Sequence, residues 1–431
     1  MLSKLLQKLL AWFARKAIKK YKPVIIGITG SVGKSSTKEA IYTVLNSHFN
    51  VRRNLKNYNN EIGLPLTVLG RISGGKSLAR WLRVFWMAVG TVFFPEKSYP
   101  ELLVLEMAAD RPGDVSYLVN IALPQIGVVT AVGPVHLEFF GNLENIVREK
   151  EKIVENLAPK GWAILNADDS LVLSMKEATR AKVLTYGFNE KADVRALEVE
   201  FDQELKKDVL HINGLRFKVA HAGSIVPVFL PDIISNTQVY SVLAAISCGV
   251  AMDLNVIEIT DSLRRYQGLP GRMNPIRGVK NSLIIDDTYN SSPDAVKIAF
   301  ETMDRLNISP QAKKWIVLGD MLELGRDSRE LHQELGADLF RVKFDFLVTY
   351  GKLAQDIAEG ARNAGMKKEN IFEFNKLEEI TNFLKEKIGR GDLILVKGSQ
   401  RMRMERIVAG IMANPKMASK LLVRQGEDWL G

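Results

Sequence analysis

The sequence holds a single cysteine, Cys248, and only five histidines among 431 residues. One thiol excludes an internal disulfide framework and a cysteine-cluster metal site. The N-terminus shows no cleavable signal pattern, so a reducing cytoplasm is the expected compartment. Long apolar runs are also missing. The uncharged stretch Val84 to Phe94 would cross only about half of a hydrocarbon core as a helix, so it is no transmembrane span. Acidic residues are absent from positions 1–23, which carry seven Lys or Arg, and scarce in 71–97, where five Lys or Arg accompany one Glu. These two segments account for the formal charge of +10, and the remaining chain is close to neutral. That distribution argues against a general nucleic-acid-binding surface.

Both basic segments are also apolar. Leu2, Leu5, Leu6, Leu9, Trp12, Phe13 and Ala17 fall at helical spacing. Arg80-Trp81-Leu82-Arg83 leads into the Val84–Phe94 run. Trp12, Trp81 and Trp86 are three of the six tryptophans. Tryptophan and cationic side chains beside an apolar face suit a membrane interface, so peripheral contact through 1–20 and 78–94 is one expectation. Packing of the same segments on the globular body is the other.

The length calls for two or three domains. Near the start, Val24 to Ile28 reads as a buried strand, and Lys38 to Leu45 as a helix. Between them lies Gly30-Ser31-Val32-Gly33-Lys34-Ser35-Ser36-Thr37. A glycine-rich turn at a strand-to-helix junction cradles phosphate with backbone N–H groups, and a lysine adds a point charge. Gly30, Ser31, Val32, Gly33, Lys34, Ser35 and Ser36 are therefore the candidate nucleotide contacts, for ATP or GTP. Ser35 is placed to hold Mg²⁺ between phosphates. The spacing departs from the general P-loop pattern, because Ile28 stands where its first glycine would fall.

Further strands read at Leu102–Leu105, Ile126–Thr130 and Trp162–Leu165, with a helix over Leu143–Leu157. Strands alternating with helices predict an α/β fold whose mostly parallel sheet carries function at its strand C-termini. Glu106 and His136 follow two of these strands and are candidate Mg²⁺ ligands beside Ser35. Lys150 sits in Arg148-Glu149-Lys150-Glu151-Lys152, which by charge pattern alone reads as a solvated helix face. Strict alternation over 181–230 predicts an antiparallel excursion, and Val239–Cys248 another helix. After Leu269-Pro270-Gly271-Arg272, strands recur at Leu283, Trp315, Phe346 and Leu393. The expected organisation is a basic amphipathic helix over 1–23, a central P-loop domain over 24–270 with an insertion at 71–97, and a Rossmann-like α/β domain over 271–431. The second α/β domain has three polar strand ends, at 286–290, 318–325 and 397–401. Arg272 at the hinge is placed to reach a nucleotide phosphate on domain closure, and Asp287 and Asn290 belong to the same binding edge.

Taken together the chain resembles the Mur ligase family, ATP-dependent amide ligases of cell-wall peptide synthesis, and within it the MurF branch. The resemblance covers about residues 24–410 and rests on ordered motifs. They are the P-loop string through Glu39, Asn59-Asn60-Glu61-Ile62-Gly63-Leu64-Pro65, His136-Leu137-Glu138 and Asn166-Ala167-Asp168-Asp169. Gly271-Arg272-Met273, Asp286-Asp287-Thr288-Tyr289-Asn290, Gly319-Asp320-Met321-Leu322-Glu323-Leu324-Gly325 and Lys397-Gly398-Ser399 complete them.

The resemblance implies that ATP phosphorylates a carboxylate and that an amine then attacks the acyl phosphate. It places a carbamylated lysine at Lys150, whose carbamate is a carboxylate-like metal ligand, and one or two Mg²⁺ on Glu106 and His136 beside it. It makes Lys34, Lys150, His136 and Arg272 the catalytic set. The implied partners are a cell-wall peptide precursor and an amino acid or dipeptide such as D-alanyl-D-alanine. The family's UDP-sugar-gripping domain normally precedes the P-loop, where this sequence has residues 1–23. A different, lipid-linked or non-UDP acceptor, or a non-catalytic nucleotide-binding scaffold, are the alternatives. Thr237-Gln238 replaces the family's His-Asn, which leaves the role of Gln238 open.

Overall fold

The computed structural model describes residues 2–55, 58–134, 137–426 and 429. The chain divides into two compact units, one of residues 1–199, 217–229 and 237–266, the other of 200–216, 230–236 and 267–431.

The first sheet is built from β1 (Val24–Thr29), β2 (Val51–Arg53), β3 (Leu102–Glu106), β4 (Ile126–Val129), β5 (Trp162–Asn166), β6 (Lys182–Gly187), β7 (Val194–Lys206), β8 (Val209–His221) and β9 (Ser224–Pro231). Their spatial order is β2-β3-β1-β4-β5-β6-β7-β8-β9. Strands β1 and β3 to β6 are short and rich in aliphatic residues, as expected of parallel strands covered on both faces. β1 pairs in parallel with β3 and β4, so Ile28 lies opposite Glu106 and Val128.

The antiparallel excursion expected over 181–230 is supplied by β7 to β9, and only its first strand differs. β6 pairs in parallel with both β5 and β7. Only β7 to β9 form a meander, through two-residue turns whose residues all have positive φ: Lys207 and Asp208, then Ala222 and Gly223. Alternating hydrophobicity reports half-burial and carries no information on strand direction.

The helices of the first unit are α1 (Leu2–Tyr21), α2 (Lys34–Leu45), α3 (Gly63–Leu69), α4 (Leu78–Phe93), α5 (Asp114–Ile121), α6 (Leu137–Phe140), α7 (Leu143–Glu155), α8 (Ser170–Ser174), α9 (Asn236–Ala251) and α10 (Val256–Ser262). Its main core joins Leu10 and Ala14 of α1, Leu64 and Leu66 of α3, Leu118 of α5 and Ile146 and Ile153 of α7 to Ile25, Leu103 and Val129 of the sheet. α1 therefore packs on the globular body through one face, while Leu5, Leu9 and Trp12 stay exposed.

The second sheet has the order β10-β11-β15-β12-β13-β14. Its strands are β10 (Asn274–Arg277), β11 (Leu283–Asp287), β12 (Lys314–Gly319), β13 (Phe346–Tyr350), β14 (Ile371–Phe374) and β15 (Leu393–Lys397). β10 is the antiparallel edge and the other five run parallel. α11 (Pro293–Arg305) starts with Ser292 capping Ala295 N–H and Pro293 in the first turn. α12 (Ser328–Asp338) and α13 (Ala354–Asn363) approach closely at two glycines. A Cβ on Gly336 would lie 2.1 Å from the Ile357 carbonyl oxygen, and one on Gly360 would lie 2.0 Å from that of Gln333.

Because backbone atoms define that contact, no side-chain rotation can relieve an added methyl. Gly360→Ala is expected to lower the unfolding free energy of the second unit by about 3 kcal/mol, as overpacking does. Urea denaturation checks this, and an unchanged midpoint would show that the two helices do not meet there.

Candidate functional site

The P-loop begins where β1 ends. Gly30 has φ 149°, and a Cβ there would sit 2.0 Å from Thr130 Oγ1, so the loop's approach to the strand-end segment after β4 requires glycine. That segment holds the loop in place. Ser31 N–H donates to Ala131 O at 2.7 Å, Gly133 N–H donates to Ser31 Oγ at 2.9 Å, and Thr130 Oγ1 donates to Val32 O at 2.6 Å. Asp169, at the end of β5, accepts from Val132 N–H at 2.7 Å, and Asn166 donates to Thr130 O. Gly33 has φ 85° and stands at the N-cap of α2 with no side-chain cap. The first N–H groups of a twelve-residue helix thus open onto the loop, where an anion satisfies them. Lys34 Nζ donates to Gly30 O at 2.7 Å and Ser31 O at 3.3 Å, curled over the loop. Ser36 is buried beneath it, and Val32 is exposed at the tip.

Glu106 ends β3 beside this loop and is buried. Ser35 Oγ donates to its Oε2 at 3.0 Å and Asn59 Nδ2 donates to its Oε1 at 3.0 Å. Lys38 Nζ lies 3.9 Å from Oε2 and donates to Asn54 O. Asn54 in turn accepts from Glu106 N–H at 2.5 Å. Sequence reasoning set Glu106 beside Ser35 as Mg²⁺ candidates, and the structure places the two in hydrogen-bond contact. It did not assign roles to Lys38, Asn54 or Asn59.

Lys150 on α7 is 2% exposed, which corrects the solvated-face reading of its charge pattern. Burial is the main cause that lowers its ammonium to about 7, Lys34 lowers it further, and Glu149 and Asp110 oppose. The amine therefore lies within electrostatic reach of Lys34 and is unprotonated in a sizeable share of molecules near neutral pH. Its neighbour Glu149 is buried too, and its carboxylate accepts from Gly113 N–H at 2.8 Å and Val115 N–H at 2.7 Å at the start of α5. That pair fixes α7 against α5 and so fixes where Lys150 points. The apolar spacing Ile146, Ile153, Val154 is the signal that puts position 150 on the inner face.

His136 lies outside the described residues. Among the described residues no group of three His, Cys, Asp or Glu is placed to hold a metal. Ser35 Oγ and the Glu106 carboxylate are nevertheless hard oxygen donors 3.0 Å apart. They fit Mg²⁺, which takes one or two protein oxygens and completes its shell with phosphates and water.

In the second unit, Asp287 and Asn290 engage Lys397, and Arg272 lies against the adjoining Tyr289. Lys397 Nζ lies 2.6 Å from Asp287 Oδ2 and donates to Asn290 O at 3.0 Å. Asp287 Oδ1 accepts from Met273 N–H, and the Arg272 guanidinium lies 4.1 Å from the Tyr289 ring centroid. Asp286 is fully buried. Burial raises its carboxyl to about 7, against hydrogen bonds from Thr288 and Gly271 that lower it. At the neighbouring strand end, Asp320 O accepts from Ser399 N–H, and Asp320 Oδ1 accepts from Ala354 N–H at the start of α13. Sequence reasoning missed the brace behind this edge. Arg424 donates to Thr288 O and Tyr289 O and pairs with buried Glu405. A cavity of about 500 Å³ lined by Lys206, His211, Arg277 and Arg390 lies at the other end of this sheet, since Arg277 pairs with Leu283 at the start of β11. Gln238, in the first unit, accepts from Tyr266 Oη at 2.5 Å, and that pair is buried.

Residues 91–248 match the Mur ligase middle domain, and residues 271–400 match the domain described as Mur ligase, glutamate ligase domain. The Bacillus subtilis UDP-N-acetylmuramoyl-tripeptide--D-alanyl-D-alanine ligase is 31% identical over 391 residues, covering 91% of this chain and 76% of that protein. A crystal structure of MurF from Acinetobacter baumannii superposes with a TM-score of 0.76 at 25% identity, over 95% of this chain and 80% of that one. MurF ligase from Thermotoga maritima, solved in complex with ADP, gives a TM-score of 0.74 at 27% identity, over 96% of this chain and 84% of that one. The P-loop cradle, the strand-end carboxylate and these likenesses agree: the chain belongs to the Mur ligase family of ATP-dependent ligases.

Proposed function

We propose that this chain joins D-alanyl-D-alanine, or a closely related amine, to the terminal carboxylate of a UDP-muramoyl tripeptide. The observation that carries the reading is the cluster at the end of β1 and β3, where the P-loop lysine adjoins the Ser35–Glu106 pair and the buried Lys150 lies within electrostatic reach of Lys34. The activity of the similar ligases supplies the substrates.

In the reaction, the γ-phosphoryl group of ATP passes to the acceptor carboxylate, giving ADP and an acyl phosphate. The amine attacks the acyl carbon, and the tetrahedral adduct expels inorganic phosphate to leave the amide. Lys34 and the α2 N–H groups orient the phosphates and offset charge on the transferring group. Ser35 and Glu106 would hold Mg²⁺, with His136 as a further proposed ligand. When bound, that ion supplies charge neutralisation between the phosphates. Arg272, Asp287 and Asn290 are proposed nucleotide contacts on the strength of the family motif, and Lys397 orders the last two.

Lys150 is proposed to be carbamylated. Its unprotonated amine adds to CO₂, a C–N bond forms and one proton is released, leaving an anionic carboxylate-like group. The support is burial beside Lys34, which favours an amine over an ammonium and then favours the anion.

With ATP, Mg²⁺, UDP-muramoyl tripeptide and D-Ala-D-Ala, phosphate is expected only when both co-substrates are present, and Lys34→Ala should lower kcat about 100-fold. Absence of amine-dependent phosphate release with the wild-type chain would overturn the reading.

Lys150 also generates a pH prediction in CO₂-free buffer. The folded amine titrates near 7 and the unfolded one near 10.5. The unfolded state therefore binds more protons between those values, and stability contributed by this site rises with pH across that window. The stabilisation of Lys150→Met over wild type should be largest at or below pH 7 and shrink toward pH 10. A difference independent of pH, from urea titrations, would count against a depressed Lys150.

A further inference from the structure

α4 is apolar on both sides. Val84, Ala88 and Thr91 are buried on its inner face. On the opposite side Leu78, Leu82, Trp86 and Phe93 form one stripe at spacings of four, four and seven, and each is at least 63% exposed. Phe94 extends it. A helix on a water-facing surface ordinarily turns polar residues outward, and one apolar all round is ordinarily enclosed.

α1 continues the patch. The Phe13 and Phe85 rings, 6.2 Å apart, mark the seam between the two helices, and Trp12 packs edge-on against Phe13 at 4.9 Å. Leu9 stands one turn before Phe13, and Leu82 and Val89 stand one turn either side of Phe85. The exposed stripe Leu5, Leu9, Trp12 therefore borders the same seam as the α4 stripe. The C-terminal turn of α4 is pinned to the body. Lys20 Nζ and Tyr21 Oη both donate to the carbonyls of Thr91 and Phe94, and Arg71 donates to Thr91 Oγ1. The helix has 16 residues, about 24 Å at 1.5 Å per residue, shorter than a hydrocarbon core of about 30 Å. No described helix is long and apolar enough to cross a membrane. Such a helix can lie in a bilayer surface and cannot pierce it.

Charge selects the occupant. Arg80 and Arg83 on α4 and Lys4, Lys8 and Lys16 on α1 are exposed around the patch. Residues 1–23 and 71–95 contain no acid. A second copy of this chain would bring these cations against one another, whereas anionic headgroups would neutralise them while the acyl boundary takes the tryptophan, leucine and phenylalanine side chains. We infer that the outer faces of α4 and α1 dock the protein on an anionic lipid bilayer.

Flotation of the full chain with phosphatidylglycerol–phosphatidylcholine vesicles tests this. Wild type is expected to float with the anionic vesicles, to leave them as salt is raised, and to stay in the lower fraction with pure phosphatidylcholine. Trp86→Glu with Phe93→Glu should weaken partitioning at least about tenfold, and Arg80→Glu with Arg83→Glu by a similar factor. Neither pair touches the P-loop cluster, so phosphate release with soluble substrates should match wild type and certify the fold. Wild type that ignores anionic vesicles, or variants that float as wild type does, would overturn the inference. So would light scattering that finds a dimer in vesicle-free solution which Trp86→Glu dissociates.

Discussion

The buried carboxylate of Glu106 is the constraint around which the nucleotide end of the first unit is arranged. A carboxylate at the C-terminal end of a central parallel strand loses most of its hydration, which is tolerable only when hydrogen-bond donors replace the lost water. Ser35 and Asn59 do so from two different parts of the chain, and the Lys38 ammonium stands 3.9 Å away. Each bond to a charged group is worth about 1.5–3 kcal/mol, so the carboxylate ties α2, the segment before α3 and β3 into one arrangement. The P-loop serine is consequently positioned before any phosphate arrives. Gly30 adds the complementary steric condition, since its missing side chain lets Thr130 close over the loop.

Lys150 and Glu149 show how a pair of adjacent charges can be buried without pairing to each other. Glu149 turns to the α5 N–H groups, where the helix N-terminus favours an anion. Lys150 turns toward Lys34 and gives up its proton affinity instead. One residue is stabilised as an ion and its neighbour's ammonium is weakened, by the environments on the two sides of one helix turn. The local string of alternating charges conceals this, because charge pattern describes a solvated helix and says nothing of which turn faces inward. The apolar residues at 146, 153 and 154 do carry that information.

Most of the strands were legible for the same reason that the candidate site was. Parallel strands buried on both faces are unbroken aliphatic runs, so Val24–Ile28, Leu102–Leu105, Trp162–Leu165 and Leu393–Val396 stand out, and the polar residue ending each marks a functional edge. Less was visible where the signal is cooperative. The direction of β6, the brace of Arg424 on Thr288 and Tyr289, and the engagement of Asp287 by Lys397 depend on partners many residues away. No local period encodes them. His136 could be picked out in the sequence but falls outside the described residues.

α4 separates what folding requires from what it leaves open. Its attachment is complete on the inner side, through Val84 and Ala88, the Phe13–Phe85 seam and the hydrogen bonds from Lys20, Tyr21 and Arg71 to its last turn. Leu82, Trp86 and Phe93 take no part in that attachment, so the fold places no demand on their type. In water a polar residue at each position would serve the helix as well and the protein's solubility better. A periodic stripe of large apolar side chains therefore points to a second, non-aqueous phase on the outer side. The surrounding arginines and lysines, which outnumber the one carboxylate of the two segments, Glu96, set its charge.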